Sequence, residues 1–114
     1  MRNAVDKGNM RDAIAEALIS GKAENVVYLD LGDSLHGVDG FLIATGKNPI
    51  HIRHLSEVVQ GAAGETYRHE EKSDNWHLVD LGEIVVHIFS AEYRIKYDLE
   101  GRWPKAKRTL FSAS

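Results

Sequence analysis

The sequence predicts an α/β fold of the α+β kind, in which a mixed β-sheet of about five strands is flanked by helices. Short apolar runs rich in β-branched residues alternate along the chain with stretches whose apolar residues recur every three or four positions. The 114 residues, 43% hydrophobic and 27% charged, are typical of one globular domain. We therefore expect residues 1–114 to form a single domain, with a core over about residues 11–104 and a basic C-terminal tail over residues 105–114.

The N-terminal quarter of the chain predicts a helix followed by a strand. An amphipathic helix is indicated by apolar or small residues at helical spacing, namely Ile14, Ala17, Leu18 and Gly21. Residues 26–31 are a short, β-branched apolar run of strand length. This run is expected to be the first strand of the sheet.

Residues 32–63 predict a loop, a second strand and a second helix. Residues 32–40 contain three glycines among polar residues, which is typical of a loop. Residues 41–45 form the next apolar run. Asn48 can then cap a helix that begins at Pro49 and ends near Ala63.

The second half of the chain contains the clearest hairpin. Residues 76–81 and 84–89 are strand-like and are separated by a two-residue turn. In the second of these strands both faces look buried, which favours a central position in the sheet. Ser90 can cap a final helix that runs towards Trp103, and the charged residues 65–75 leave room for one edge strand around Tyr67.

Composition excludes several classes of protein. The chain has no cysteine, so disulfides and thiolate zinc sites are excluded. Met1–Met10 has no apolar run of the kind found in a signal peptide, which favours the cytoplasm and no membrane partner. Residues 102–114 carry a charge of +4 and the rest of the chain −7, which together give the net −3. An acidic body binds nucleic acid poorly, so only the basic tail could touch RNA.

No catalytic residue, metal site or cofactor is predicted. Carboxylates near strand ends could bind a divalent metal for phosphoryl transfer, and these are Asp30, Asp33, Asp39, Asp80 and Glu83. Neither Asp30 nor Asp80, however, has a second carboxylate two residues away in its strand. Residues 44–48 also lack the first glycine and the Ser or Thr of a phosphate loop.

The histidines point to structural roles. His51 and His54 lie three residues apart on the predicted helix, where they make only half of a metal site and are expected to face solvent. His87 lies between apolar residues and is expected to be a core histidine with a satisfied ring nitrogen.

Large aromatic residues cluster around the hairpin. Trp76 begins its first strand, and Tyr93, Tyr97 and Trp103 follow its second. With Leu78 and Leu81 they could form a partner-binding patch, in which Trp and Tyr contribute most of the binding energy. Ordinary core packing under the last helix explains them equally well.

Three ordered segments resemble the ribosomal silencing factor (Iojap-like) family: residues 39–46, residues 76–89, and residues 97–100 followed by Trp103. The match spans about residues 13–103. The resemblance implies a nucleotidyltransferase-like fold without the catalytic motif. Two departures are visible: Gly40 stands where the family usually has an aromatic residue, and residues 47–53 differ from the usual start of that helix.

The resemblance also implies a function without catalysis. Members of the family bind ribosomal protein fourteen of the large subunit, sterically block its association with the small subunit and so repress translation, and they have been seen as homodimers. Motif position implies the partner-binding residues Asp39, Trp76, Leu78, Asp80, Leu81 and Tyr97. Two alternatives remain open: a degenerate nucleotidyltransferase-like protein that binds a nucleotide, and an RNA-binding module that uses the basic tail.

Overall fold

The structure is a computed structural model that describes residues 7–111, except for the side chains of residues 7–9, Asp33 and Thr66. Part of Met1–Met10 and the last three residues of the basic tail therefore lie outside the described residues. The elements in chain order are α1 (Lys7–Ser20), β1 (Glu24–Leu35), β2 (Val38–Gly46), α2 (Pro49–Ala63), a 3₁₀ turn (Gly64–Thr66), β3 (His69–Lys72), β4 (Trp76–Asp80), β5 (Ile84–Ser90), α3 (Ala91–Tyr97), α4 (Leu99–Arg102) and β6 (Lys107–Phe111).

The strands form one mixed sheet in the order β3-β4-β5-β2-β1-β6. β2 and β5 are parallel, and every other neighbouring pair is antiparallel. The predicted fold class is confirmed, and β5 occupies the central position expected from its two apolar faces. The sheet has six strands among the described residues rather than about five, because the C-terminal segment contributes one.

The loop predicted over residues 32–40 is wrong. β1 continues to Leu35 and β2 begins at Val38, so the two strands form a long hairpin. Gly32 and Gly37 have φ angles of 57° and 82°, which only glycine adopts without strain, and they allow the irregular pairing and the tight turn of this hairpin. Its end is exposed to solvent, and the polar composition therefore resembled that of a loop.

Half of the predicted basic tail is also a strand, Lys107–Phe111. β6 pairs with β1 so that Lys107 lies opposite Asp30 and Phe111 opposite Val26. Phe111 packs against the buried residues of the helix-covered face. This charged segment has no strand-like pattern of apolar residues, so its sequence did not predict a strand. It is extended because its backbone pairs with that of β1.

Helices α1 and α2 cover one face of the sheet. The core on this face includes fully buried side chains from both helices, among them Ile14, Leu18, Ile52, Leu55 and Val59. The predicted start of α2 is confirmed, since Asn48 Oδ1 accepts from the His51 amide at 2.8 Å and Pro49 is the first helical residue. No described helix is both long enough and apolar enough to cross a membrane.

His51 is not the solvent-facing residue that we expected. It is half-buried; its Nδ1 accepts from the Lys47 amide at 2.9 Å and its Nε2 donates to the Gly21 carbonyl at 2.8 Å. His51 thus ties the start of α2 to the end of α1. His54, by contrast, is exposed as expected.

The short helices α3 and α4 lie on the opposite face. Ser90 caps α3 as predicted, accepting from the Tyr93 amide at 3.2 Å. The single helix predicted towards Trp103 is broken at Asp98, whose φ is 42° and whose side chain caps α4. Residues of α3, α4 and the segment after them pack on β1, β2 and β5, and this leaves the adjoining face of β3 and β4 partly open to solvent.

Candidate partner-binding surface

The open part of this face centres on Trp76, the first residue of β4. Its indole is half-buried and lies against two other rings, with centroid distances of 4.9 Å to Phe89 and 5.0 Å to Tyr97. Phe89 supports it from the paired strand β5, while Tyr97 comes from the end of α3. We call Trp76, Leu78 and Tyr97, all half-buried, the aromatic surface.

A buried histidine lies beneath the aromatic surface. Trp76 Nε1 donates a hydrogen bond of 3.1 Å to Nδ1 of His87, whose side chain is only 4% exposed. Burial lowers the pKa of His87 to about 3, so the ring is neutral and carries its proton on Nε2. That nitrogen is buried without a partner among the described residues. His87 is therefore the core histidine expected from the sequence, with one of its two ring nitrogens satisfied.

The structure places five of the six predicted site residues on this face, by strand alternation and by helix packing. Trp76, Leu78 and Asp80 lie opposite residues of β5 that belong to the same face, and Tyr97 stands beside Trp76. Asp39 lies two residues before Phe41 on β2 and so shares this face. Its amide donates to the Glu83 carbonyl at 2.7 Å.

Leu81 is placed differently. It is 3% exposed and belongs to the core on the helix-covered face. It thus supports the β4–β5 turn from behind, whereas the other five predicted residues lie on the side of the aromatic surface.

Sequence reasoning missed two residues that build this surface. Phe41 lies under the face, with its ring centroid 4.5 Å from that of His87 and 5.3 Å from that of Trp103. His87 itself was expected in the core but not as the partner of Trp76. Alternation along β5 places His87 on the same face as Phe89, but the pairing of Leu78 with His87 depends on a register that spacing alone does not specify.

Acidic side chains lie beside the aromatic surface on the β3 side and at the β4–β5 turn, whereas Lys96 Nζ lies 5.6 Å from the ring centroid of Tyr97 on the α3 side. Asp80 and Glu83 belong to the β4–β5 turn, Asp39 is paired with that turn, and Glu71 of β3 lies opposite Leu78. We call Asp39, Glu71, Asp80 and Glu83 the acidic rim. An apolar centre with an acidic rim is complementary to a basic partner protein.

Arg94 holds α3, and with it Tyr97, against the sheet. Its Nη1 donates to Thr45 Oγ1 at 2.9 Å and to the Asn25 carbonyl at 2.6 Å, while Nε and Nη2 form a bidentate pair with Glu100. The side chains of Arg94 and Glu100 are 12% and 21% exposed, so this ion pair is well shielded from solvent. The position of Tyr97 relative to Trp76 thus depends on partly buried polar contacts of Arg94.

The carboxylates considered as metal ligands do not converge in the described structure. Within residues 10–111, leaving aside Asp33 and Thr66, there is no group of three or more His, Asp or Glu side chains that could hold a metal ion. Asp30 and Asp80 each accept a hydrogen bond from the amide of a glycine two residues later, Gly32 and Gly82. Asp80 therefore stabilises the β4–β5 turn, and Asp30 stabilises the irregular part of β1.

These features define a class of small α+β proteins with two long helices on one face of a mixed sheet and a half-exposed aromatic surface on the other. Within it, the chain belongs to the ribosomal silencing factor family, since the family model described as "RsfS: Ribosomal silencing factor during starvation" matches residues 5–113.

Individual relatives agree with this assignment. The chain is 33% identical to the ribosomal silencing factor RsfS of Treponema pallidum over 96 residues, which are 80% of this chain and 86% of that protein. It is 31% identical to RsfS of Bacillus subtilis over 97 residues, 81% and 82% of the two chains. A crystal structure of a Chromobacterium violaceum protein superposes with a TM-score of 0.82 at 26% identity, covering 95% of this chain and 94% of that one.

Proposed function

We propose that this protein represses translation by binding the large ribosomal subunit through the aromatic surface, where it contacts ribosomal protein fourteen and sterically blocks association with the small subunit. The proposal also puts the protein in the cytoplasm, and it requires no turnover. Blocking needs only a stable interface of about 800 Å² on each partner, which a domain of this size can provide.

The observation that carries the proposal is the supported position of Trp76. Large aromatic side chains that are fixed before binding contribute strongly to interfaces, because little conformational freedom is lost on association. Trp76 is held by the His87 hydrogen bond and by ring contacts with Phe89 and Tyr97. It nevertheless remains half-exposed and is available to a partner.

The acidic rim supports a basic target. Carboxylates around an apolar centre speed association with a positively charged partner and disfavour contact with RNA phosphates. A basic ribosomal protein meets both requirements, whereas bare ribosomal RNA would be repelled from this half of the molecule.

The Trp76→Ala variant tests the proposal. It should lower affinity for purified large subunits by more than tenfold, as expected for the loss of a central aromatic residue, and it should restore subunit association in sucrose-gradient sedimentation. The matched control is Ile50→Ala, because Ile50 is 74% exposed on α2, on the other side of the sheet. Equal binding by the two variants would show that the interface lies elsewhere.

We also expect the aromatic surface to form a homodimer interface when the protein is not bound to a ribosome. Two copies related by a two-fold axis would cover each other's aromatic surface when ribosomes are scarce. Sedimentation equilibrium of the wild type and of Trp76→Ala tests this point, since only the wild type should associate. Wild-type monomers at all concentrations would contradict the homodimer and leave ribosome binding unaffected.

A further inference from the structure

A second recess lies on the same face, beyond Trp103. It is a cleft of about 400 Å³ between the irregular part of β1, at Asp30, Leu31, Gly32 and Ser34, and the segment that joins α4 to β6. Arg102, Trp103 and Lys105 line it on the side of the joining segment. Its volume falls in the range of about 300–1,000 Å³ that is usual for small-ligand sites.

The charge around this cleft is opposite to that of the acidic rim. Arg102, Lys105, Lys107 and Arg108 are the four basic residues after Gly101, no acidic residue follows them, and all four are exposed. Arg108 shares the face of the aromatic surface, because it lies opposite Leu29 of β1, whereas Lys107 lies opposite Asp30. Arg102 and Lys105 therefore line the cleft and Arg108 lies beside it, while Asp30, which also lines the cleft, lies opposite Lys107 in the sheet.

Two of these cations, Arg102 and Arg108, are held in position. β6 is paired along its whole length with β1, so the basic segment is part of the sheet and not a free tail. Arg108 Nη2 donates to the Glu100 carbonyl at 3.1 Å, and Arg102 Nε donates to the Tyr97 carbonyl at 3.4 Å. Both contacts go to neutral carbonyl groups, which orient the guanidinium groups and leave their charge uncompensated.

An aromatic ring accompanies the cations. Trp103 is half-buried, and it meets Phe41 at a ring-centroid distance of 5.3 Å in a T-shaped contact of 86°. Cations beside a partly exposed indole are the combination that binds nucleic acid, since phosphates pair with Arg and Lys while bases stack on aromatic rings.

We propose that this cleft binds RNA, with phosphates contacting Arg102, Lys105 and Arg108 and a base lying against Trp103. This inference rests on the proposed function, since it adds a second contact to the same ribosomal target. A ring series from Trp76 through His87 and Phe41 to Trp103 joins the two sites in one rigid face. One half of that face suits a basic protein and the other suits phosphates, so the face can dock on a ribonucleoprotein in only one orientation.

The salt dependence of binding tests the cleft. Affinity for purified large subunits is measured over a series of KCl concentrations for the wild type and for the double variant Arg102→Gln/Lys105→Gln. Affinity falls as salt rises, so log affinity plotted against log salt has a negative slope. Each lost phosphate contact makes this slope less steep by about 0.7–0.9. For the double variant we expect the slope to be less steep by about 1.4–1.8. Its affinity at low salt should be lower than that of the wild type by about tenfold or more.

The matched control is Lys47→Gln/Arg53→Gln, which removes the same charge from exposed positions at and near the start of α2. We expect its affinity to change by less than about twofold. Thermal unfolding checks that each variant folds, and Lys105→Gln alone serves as a second variant, since Lys105 makes no hydrogen bond or ion pair with the described residues. If the cleft and control variants have equal slopes, the cleft proposal is wrong.

Two separate probes distinguish this proposal from the proposed function. Purified ribosomal protein fourteen should bind the cleft variant normally and bind Trp76→Ala poorly. A single-stranded RNA of about 12 nucleotides should show the reverse at low salt. If the wild type ignores large subunits, the proposed function fails, and RNA retention still decides the cleft: equal retention by wild type and cleft variant overturns it.

Discussion

Trp76 and His87 are bonded side chain to side chain across neighbouring strands, with indole Nε1 donating to imidazole Nδ1 over 3.1 Å. The bond requires the neutral tautomer with its proton on Nε2, because a protonated Nδ1 would oppose the indole N–H. The burial that lowers the pKa of His87 to about 3 keeps the ring neutral at physiological pH, and the indole N–H selects the tautomer. The buried His87 thus fixes the orientation of the half-exposed side chain of Trp76.

Replacing His87 with Phe tests this control of Trp76. The phenyl ring fills the space, but the indole N–H loses its acceptor, so we expect the free energy of unfolding to fall by about 1–2 kcal/mol. Affinity for large subunits should fall by about three- to tenfold as Trp76 becomes free to rotate. The indole N–H resonance of Trp76 reports the loss directly. His54→Phe, at an exposed site, is the control, and identical affinities for the two variants would contradict the prediction.

Acid should destabilise the fold through its buried histidines. Burial lowers the pKa of His87 from 6.5 to about 3, and it is also the largest cause of the lowered pKa of His77. Below pH 6.5 the unfolded chain therefore takes up protons that the folded chain does not, and stability falls as pH drops from about 6.5 towards 3. The loss is up to about 1.4 kcal/mol per pH unit for each such histidine.

Urea unfolding between about pH 7.5 and pH 5 measures this dependence. His87→Phe should show a shallower decline below pH 6.5, since only the His77 contribution remains. Parallel curves for the wild type and the variant would mean that His87 does not contribute.

Gly40 and Tyr28 form a complementary pair on the β1–β2 hairpin. A Cβ atom on Gly40 would overlap the hydroxyl and ring of Tyr28, which is 8% exposed. Gly40→Ala should therefore lower the free energy of unfolding by about 1–3 kcal/mol, as overpacking does. Gly61→Ala is the control: nothing lies within 4 Å of its new methyl group, so a small stabilisation of about 0.5–1 kcal/mol is expected in this helix.

The contact between Gly40 and Tyr28 can also be tested by moving the aromatic ring from β1 to β2. We expect the double variant Tyr28→Ala/Gly40→Phe to recover part of the stability lost in Tyr28→Ala, because the new ring fills the same space from the neighbouring strand. A double-mutant cycle measures the coupling between the two positions. If the effects of the two substitutions on the free energy of unfolding simply add, the introduced phenylalanine does not fill the space left by the ring of Tyr28.

Sequence reasoning succeeded where local physics decides the structure. Capping by Asn48 and Ser90 and the hairpin around Gly82 follow from residue chemistry over a few positions. Sequence reasoning failed where the structure depends on a residue far away in the sequence. β6 forms because it pairs with the edge of β1. His87 lies next to Trp76 because of the register between β4 and β5, which spacing alone does not specify. Of the six residues implied by the family motif, five lie on the side of the aromatic surface, whereas Leu81 is buried on the helix-covered face.

The two outermost strands of the sheet have a further consequence. β3 consists of His69, two glutamates and Lys72, and β6 begins with Lys107 and Arg108. An open sheet has unpaired backbone N–H and C=O groups on both edge strands, and a strand of another molecule can pair there and start fibre growth. Like charges brought within about 5 Å of each other would oppose such growth. We therefore expect the charged residues of β3 and β6 to disfavour the pairing of either edge strand with the same strand of a second copy.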